Sequence, residues 1–395
     1  MEEVEEGKAR FRAHIEAVPT EDMDVFYNPR MRENRDLSLM LMRELLEERE
    51  GPVRFAFPLA ASGVRALRLA CEHTDALIDR RCEFHLNDRN EAAILLAREN
   101  LKQIPEDLRE HLTMSFSVQD ANVFLRESRG FDYIDIDPFG SPVPFLDSAL
   151  TRIRNRGILA VTATDTAALT GTYPKTSLRR YAARSARTPL MHLEASRMLI
   201  AYCQRIAASH DIELAILLAY AREHYIKLFF RARRQRTRAS SLIAQHAYVL
   251  VCTRCGYNAK RLADADIERS ASDQNTPECP FCNRTLTLIG KLSVPFGDPD
   301  MIRKILERFE QGSYAPHLRV QLERLVEETD LDQDAYHVDT HRIASGEVPR
   351  IHAIIEAIRA EGFACVRSLF NLTAIRTTCP PALLKTHIQR LGGVP

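Results

Sequence analysis

The sequence predicts an α/β fold whose first part is a parallel β-sheet covered by helices on both faces. Apolar runs with strand character alternate with helical patterns between residues 53 and 165, and polar residues follow these strands. After about residue 245 a four-cysteine motif and mostly helical segments begin. Such alternation forms right-handed crossovers and therefore a parallel sheet. Because 395 residues exceed one typical domain, we expect a domain at 1–245 and a smaller α+β domain at 246–395.

The elements of the first domain follow from the period of their apolar residues. A spacing near 3.6 predicts a helix, and a short apolar run predicts a strand. The predicted helices span residues 36–50, 62–72, 89–104, 123–128, 142–153 and 191–211. The predicted strands span residues 53–57, 82–88, 112–121, 131–137 and 156–165. Two further apolar runs, 212–221 and 224–233, are expected to form a hairpin that closes the sheet.

The second domain carries a predicted zinc module at about 248–294. Cys252 and Cys255 form one CxxC pair, Cys279 and Cys282 form another, and 23 residues separate the pairs. Thiolates at this spacing strongly indicate one tetrahedral structural zinc site. Four sulfur ligands leave no open position, so we assign no catalysis to the metal. Helices follow the module, and a final helix and short hairpin resemble a winged-helix arrangement.

The charge distribution suggests a polyanionic partner. Lys+Arg and Asp+Glu both total 54, but residues 222–238 hold seven Lys/Arg and one acid, and residues 177–187 hold four Arg and no acid. Both stretches interleave basic and aromatic residues, which suits a nucleic acid; the alternative is a pair of solvated faces.

No apolar run approaches the roughly 20 residues of a membrane span. The acidic N-terminus lacks an apolar signal core, so we expect a cytoplasmic protein.

Polar residues at the predicted strand ends indicate a nucleoside-binding site. Ligands of open parallel sheets bind outside the carboxyl ends of the strands. Gly63 would let the backbone approach a ligand closely, Asp88 can accept both ribose hydroxyls, and Asp120 can accept an adenine amine. The first loop has one glycine, which disfavours a dinucleotide and suits S-adenosylmethionine. The alternative for each acid is a helix N-cap.

The stretch Asp137-Pro138-Phe139-Gly140 follows the fourth predicted strand. It resembles the Asp/Asn-Pro-Pro-Tyr/Phe motif of methyltransferases that act on exocyclic amines. A carboxylate can accept a hydrogen bond from such an amine and take its proton. The Pro138 carbonyl offers a second acceptor, and Phe139 can stack on a base taken out of its helix. The alternative is a turn in which Asp137 caps the helix at 142–153.

With these residues identified, the sequence resembles the archaeal tRNA (guanine-26-N2)-dimethyltransferases. The matching stretches are FYNPRMRENRDLS (26–38), ASGVRALR (61–68), LND (86–88), QDAN (119–122), DIDPFGSP (135–142), GILAVTATDTAALTG (157–171) and HYIKLFFR (224–231).

The resemblance implies a Rossmann-like class I methyltransferase sheet and a C-terminal tRNA-binding domain. It implies that one or two methyl groups pass from S-adenosylmethionine to N2 of guanosine 26 in tRNA. The residues implied to contact the cofactor are Arg35, Arg65, Asp88, Asp120 and Ala121. Asp137 is the implied acceptor for the amine. An Arg can grip the carboxylate of the methionine end in bidentate fashion.

One position departs from the usual methyltransferase pattern. The first strand ends with Phe57, followed by Pro58, where an acid is usual, so we expect backbone carbonyls or Asp36 to hold the cofactor's amino group. Two other functions remain open at this point. One is amine methylation of DNA or ribosomal RNA, and the other is a non-catalytic RNA-binding zinc protein on a methyltransferase fold. We expect a monomer.

Overall fold

The structure is a computed structural model of the 395-residue chain. It describes residues 1–15, 25, 27–78, 80–222, 224–258, 260–262, 277–309, 313–331 and 334–392. Among these residues, no helix is long and apolar enough to cross a membrane.

The strands are β1 (Glu2–Glu6), β2 (Ala9–Ala13), β3 (Arg54–Phe57), β4 (Glu83–Asp88), β5 (Thr113–Val118), β6 (Phe131–Ile136), β7 (Ile153–Ala163), β8 (Ile212–Arg222), β9 (Tyr225–Arg234), β10 (Ala247–Val251), β11 (Lys260–Leu262), β12 (Thr287–Leu292), β13 (Tyr336–Asp339), β14 (Cys365–Arg367) and β15 (Ala374–Thr377).

The helices are α1 (Arg32–Glu48), α2 (Val64–Glu72), α3 (Thr74–Leu77), α4 (Glu91–Leu101), α5 (Glu106–Arg109), α6 (Ala121–Glu127), α7 (Val143–Arg152), α8 (Thr166–Leu169), α9 (Pro174–Tyr181), α10 (Met191–Ala208), α11 (Arg236–Ala244), α12 (Pro299–Glu307), α13 (Leu318–Asp330), α14 (Thr340–Ile343), α15 (Ile351–Ala360) and α16 (Pro381–Leu391). A 3₁₀ turn, Pro29–Met31, precedes α1.

The central sheet has the order β5-β4-β3-β6-β7-β9-β8. The pairs from β5 to β7 are parallel, whereas β9 runs antiparallel to β7 and to β8. The predicted α/β sheet and its closing hairpin are therefore confirmed. All six residues of β6 are buried, as expected for a strand covered on both faces. Strand order reverses between β3 and β6, and this switch point is where such sheets bind ligands.

The structure differs from the prediction at the start of β7 and at the N-terminus. Strand β7 begins at Ile153, inside the predicted helix 142–153, and Ile153 pairs with Phe131 of β6. The pairing of β1 with β2 was not predicted, because acidic residues obscure the apolar alternation in the stretch EEVEE.

The larger hydrophobic core extends from the central sheet into the C-terminal half of the chain. Ile302 on α12 and Leu322 on α13 are completely buried in the same cluster as β3 and β6. A second cluster joins the cysteine motif to β13, β15, α15 and α16. The helix and hairpin predicted near the end are present as α15, β14 and β15, and β13 adds a third strand. The domain boundary at 245/246 and the winged-helix description stay predictions.

Candidate active site

The carboxyl ends of β3 to β6 open into a cavity of about 430 Å³. This volume lies within the roughly 300–1,000 Å³ of small-molecule sites. The predicted site residues that line it are Arg35, Arg65, Asp88, Asp120, Ala121, Asp137, Pro138 and Phe139. The sheet thus brings the whole predicted set to one cavity, and the role of each residue stays a prediction.

Asp88 organises the loop after β3. Its Oδ2 accepts the Ala61 N–H at 3.0 Å, and its Oδ1 accepts the Asn90 N–H at 3.0 Å. Each carboxylate oxygen has a further lone pair for a ribose hydroxyl. Gly63, with φ +72°, approaches α4 so closely that a Cβ there would lie 2.9 Å from the Ala97 Cβ. Gly63 therefore allows α2 to pack against α4. It also lines the cavity, and its close approach to a ligand stays a prediction.

Asp120 is the N-cap of α6. Its Oδ1 accepts the N–H groups of Asn122 and Val123 at 2.8 and 3.3 Å. Its Oδ2 accepts no hydrogen bond from the residues that the structure describes. Asp120 therefore caps a helix and still offers one oxygen at the cavity wall, beside the buried Ala121.

The Asp-Pro-Phe-Gly turn is fixed to the loop after β7. Gly140, with φ +77°, donates its N–H to Thr164 Oγ1 at 2.7 Å, and its carbonyl accepts the Thr164 N–H at 2.9 Å. These bonds hold the turn while Phe139 stays 41% exposed at the cavity. Helix α7 has Pro142 at its N-cap position, so the alternative in which Asp137 caps that helix is wrong.

Arg65 lies between two carboxylates. Its Nη2 donates to Asp137 Oδ2 and, at 2.6 Å, to Asn34 Oδ1, and its Nε lies 3.4 Å from Asp135 Oδ2. Burial would lower the pKa of Arg65, but Asp137 and Asp135 raise it above its usual range. The Oδ1 of Asp137 accepts no hydrogen bond within the described part of the chain. Arg65 therefore orients Asp137 and leaves one carboxylate oxygen available at the cavity.

A fully buried lysine lies beneath this pair. Lys227 Nζ is 2.8 Å from Asp135 Oδ1 and 3.2 Å from Thr162 Oγ1. The other oxygen of Asp135 accepts hydrogen bonds from Ser38 and Tyr133, both at 3.1 Å. Burial lowers the pKa of Lys227, and Asp135 opposes that shift. The network fixes Asp135 against Arg65 and thereby supports the position of Asp137.

Arg35 is held by a glutamate that the sequence did not indicate. Glu6, at the end of β1, accepts both the Nε of Arg35 (2.7 Å) and its Nη2, and it also accepts Tyr27 Oη (2.8 Å) and Arg68 Nη1 (2.7 Å). Burial alone would raise the pKa of Glu6, but Arg35 and Arg68 outweigh it and hold the pKa at about 2. Arg35 Nη1 donates to the Asn28 carbonyl. A ligand carboxylate would have to share Arg35 with Glu6.

Asp36 lies outside the cavity. It is completely buried, 2.7 Å from Arg68, and accepts the Ala315 N–H at 2.9 Å. The expectation that Asp36 holds a cofactor amino group is therefore wrong. Phe57 does line the cavity, and backbone carbonyls of the loop after β3 remain the predicted acceptors.

The basic run 222–238 does not form one surface. Lys227 is completely buried and Arg231 is 6% exposed. Arg234, Arg236 and Arg238 are exposed. The Arg234 N–H donates to Asn155 Oδ1 near the start of β7, so this group lies at the end of the sheet opposite to the cavity. The prediction that this run contacts a nucleic acid is wrong for its buried members.

The four predicted zinc ligands converge. The Sγ atoms of Cys252 and Cys282 lie 3.4 Å apart, those of Cys255 and Cys279 lie 3.5 Å apart, and all four fall within 4.8 Å of one another. A tetrahedral zinc ion with Zn–S bonds of about 2.3 Å requires sulfur separations of about 3.8 Å. The donor set and its spacing therefore fit structural zinc.

The charge of the cavity favours a ligand without phosphates. Four carboxylates line it, those of Asp88, Asp120, Asp135 and Asp137. They face three guanidinium groups, Arg35, Arg65 and the exposed Arg89, of which Arg35 and Arg65 are already paired with carboxylates. Like charge disfavours a pyrophosphate here, and a sulfonium cation is attracted. A nucleoside with a positive sulfur centre fits these residues.

The chain is similar to known tRNA-modifying enzymes. The family model described as N2,N2-dimethylguanosine tRNA methyltransferase matches residues 7–389. The tRNA (guanine(26)-N(2)/guanine(27)-N(2))-dimethyltransferase of Aquifex aeolicus is 40% identical over 299 residues, which cover 74% of this chain and 71% of the relative. The tRNA (guanine(26)-N(2))-dimethyltransferase of Thermococcus kodakarensis is 33% identical, with coverage of 95% and 96%.

A solved structure is similar across nearly the whole chain. It is Trm1 from Pyrococcus horikoshii in complex with S-adenosyl-L-methionine, at 30% identity and a TM-score of 0.81. The similarity covers 98% of this chain and 100% of that one.

Proposed function

The chain belongs to the N2,N2-dimethylguanosine tRNA methyltransferase family, and we propose that it methylates N2 of guanosine 26 in tRNA, using S-adenosylmethionine. The single observation that supports this most directly is Asp137 at the carboxyl end of β6. One of its oxygens is fixed by Arg65, and the other is available in the cavity that Asp88 and Asp120 also line.

Asp137 is the proposed acceptor for the guanine amine. The lone pair of that amine is delocalised into the ring, so the nitrogen is a poor nucleophile. A hydrogen bond from the amine to Asp137 Oδ1 raises electron density on nitrogen, and the same oxygen can take the departing proton. Pro138 offers a backbone carbonyl to the second amine hydrogen. The half-exposed Phe139 can stack on the extruded base.

The remaining site residues are proposed to bind and orient the methyl donor. S-adenosylmethionine supplies an electrophilic methyl group on a sulfonium centre. Asp88 would accept the ribose hydroxyls and Asp120 Oδ2 the adenine amine, while Ala121 packs beside the adenine. Arg35 and Arg65 would bind the methionine carboxylate while they stay paired with Glu6 and Asp137, respectively. Correct alignment of nitrogen and methyl carbon then supplies much of the rate enhancement.

Asp137→Asn tests this proposal, because the amide keeps the shape but cannot accept a proton. We expect methyl transfer to unmodified tRNA to fall by roughly 10²–10⁴-fold, the usual contribution of a general base. S-adenosylmethionine binding, measured by calorimetry, should change by less than about threefold. Asp147→Asn on α7, which is 56% exposed and lies away from the cavity, is the matched control. Methyl transfer by Asp137→Asn at the wild-type rate would refute the assignment.

A second candidate activity is methylation at position 27. The Aquifex aeolicus relative is named for guanines 26 and 27, and it is 40% identical to this chain. Mass spectrometry of nuclease digests of tRNA with guanosine 26 replaced distinguishes the two. Loss of all methylation indicates position 26 alone, and residual N2-methylguanosine at 27 indicates both.

We further propose that the enzyme acts as a monomer in the cytoplasm, where tRNA is modified. Sedimentation of the zinc-loaded protein at micromolar concentration tests the monomer. A mass near twice 45.0 kDa would contradict it.

A further inference from the structure

Helix α9 and the residues on either side of it carry a concentration of positive charge near the turn that carries Asp137. Residues 166–193 contain five Lys/Arg and no acid, in a chain whose net charge is zero. Only Arg180 of these five pairs with an acid, Asp165, among the residues described. Lys175, Arg179, Arg184 and Arg187 are exposed.

The inner face of α9 fixes its position next to the turn that carries Asp137. Ser177 and Tyr181, four residues apart, are buried on this face. The hydroxyl groups of Tyr181 and Ser141 lie 2.9 Å apart, which ties the helix to the turn that carries Asp137. The Arg180–Asp165 pair ties it to the loop that holds Gly140. The charged outer face of α9 therefore projects from an anchored helix next to the catalytic turn.

Two large side chains on or directly before α9 are exposed to solvent. Tyr173 is 60% exposed and Leu178 is 54% exposed. An exposed aromatic side chain beside cations, such as Tyr173, is typical of proteins that bind single-stranded or distorted RNA, because bases stack on the ring and the cations neutralise phosphates.

The zinc module supports the far end of this segment. The Gly290 N–H, on β12, donates to the Arg184 carbonyl at 2.8 Å, and the Arg184 N–H donates back. Gly256, beside the cysteine pair, lies so close to Leu190 that a Cβ would be 3.0 Å from its Cδ1. The basic segment thus runs from the catalytic turn to the zinc module and is anchored at both.

We infer that residues 173–187 form the docking surface for the tRNA backbone on either side of the target guanosine. The cations would neutralise phosphates, Tyr173 would stack on an unpaired base, and the zinc module would hold the segment in place. This inference rests on the proposed function and names where its substrate binds.

The triple variant Arg179→Gln/Arg184→Gln/Arg187→Gln tests the inference. The logarithm of affinity falls with the logarithm of salt concentration by about 0.8 per phosphate contact. Each contact therefore strengthens binding about sixfold at 0.1 M salt relative to 1 M salt, and its loss removes that gain in affinity. We expect the KM for tRNA to rise by roughly 10- to 200-fold and the salt dependence of tRNA binding to weaken by about two contacts. S-adenosylmethionine affinity should stay within about twofold.

The triple variant Arg234→Gln/Arg236→Gln/Arg238→Gln is the matched control. It removes the same charge at the opposite end of the sheet, and we expect its KM and salt dependence to match wild type. Equal effects of both triples would overturn the inference, because binding would then follow net charge alone. A wild-type KM for the α9 triple would also overturn it. If wild-type protein fails to methylate any tRNA while it binds S-adenosylmethionine, the proposed function fails instead.

Discussion

Replacement of Lys227 by methionine removes the ammonium group beneath the catalytic turn and keeps a similar side-chain length. In the wild type, Lys227 Nζ lies 2.8 Å from Asp135 Oδ1, and both side chains are almost completely inaccessible to solvent. The substitution leaves the Asp135 carboxylate buried with Ser38, Tyr133 and the more distant Arg65 as partners. We therefore expect a large loss of folding stability together with a local effect on the site.

The separation sets the size of the effect. At 2.8 Å and an effective dielectric constant of about 20, the attraction between the two charges is about 6 kcal/mol. Desolvation of both groups offsets part of this attraction. Removal of one partner of a buried pair usually costs about 3–5 kcal/mol, and we expect a loss in that range for Lys227→Met.

Urea unfolding of a double-mutant cycle measures the pair. The variants are Lys227→Met, Asp135→Asn and the combination, in which the amide can still accept from Ser38 and Tyr133. We expect the double variant to recover about 3 kcal/mol relative to the sum of the single losses. A coupling energy below about 1 kcal/mol would refute the reasoning. In Lys227→Met, Arg65 should shift toward Asp135, so kcat should fall more than the KM for tRNA rises.

Three further predictions concern pH and metal. Glu6→Gln should remove the acid-dependent part of stability: the depressed pKa of Glu6 contributes about 3 kcal/mol above pH 4.5, and this is lost as the pH falls toward 2. Acid unfolding followed by circular dichroism should show it, and an unchanged acid midpoint would contradict it. Glu194 behaves oppositely, because burial raises its pKa to about 7 and its ionisation costs stability as the pH rises from about 4.5 to 7. Glu194→Gln should therefore unfold at a higher urea concentration than wild type at pH 8 and show no such gain at pH 4. Zinc removal by a chelator, or Cys255→Ser, should weaken tRNA binding measured by filter retention while calorimetry finds S-adenosylmethionine binding within about threefold; protein purified without stoichiometric zinc would contradict the metal assignment.

Much of the site followed from short-range sequence patterns. Asp88, Asp120 and Asp137 each lie at or just after the end of a strand, and parallel strands bring their carboxyl ends to one edge of the sheet. The parallel sheet then follows from the order of strands and helices along the chain, and the periods of the apolar residues predict that order. The two CxxC pairs predicted the cysteine cluster for a similar reason, because the ligand spacing is local within each pair.

The ion-pair partners of the site residues could not be predicted from short-range patterns. Glu6 is 29 residues from Arg35, and Lys227 is 92 residues from Asp135. Nothing in the acidic stretch EEVEE distinguishes Glu6, which is buried, from its exposed neighbours, since only the fold of β1 against α1 and α2 excludes water from one of them. Lys227 was assigned to an exposed basic surface, because the sequence does not show which residues of the basic run the fold buries.

The sequence by itself therefore determined the sheet, its strand-end acids and the cysteine cluster, because repeated local spacing encodes them. Only the tertiary structure decided which charges are buried. It pairs Arg65 with Asp137 and places Lys227 beneath Asp135. Burial depends on what packs above a residue, and that is set by segments far away in the chain. The two basic stretches show the difference: similar in sequence, one forms a core strand and the other lies on a helix that contacts the turn after β6.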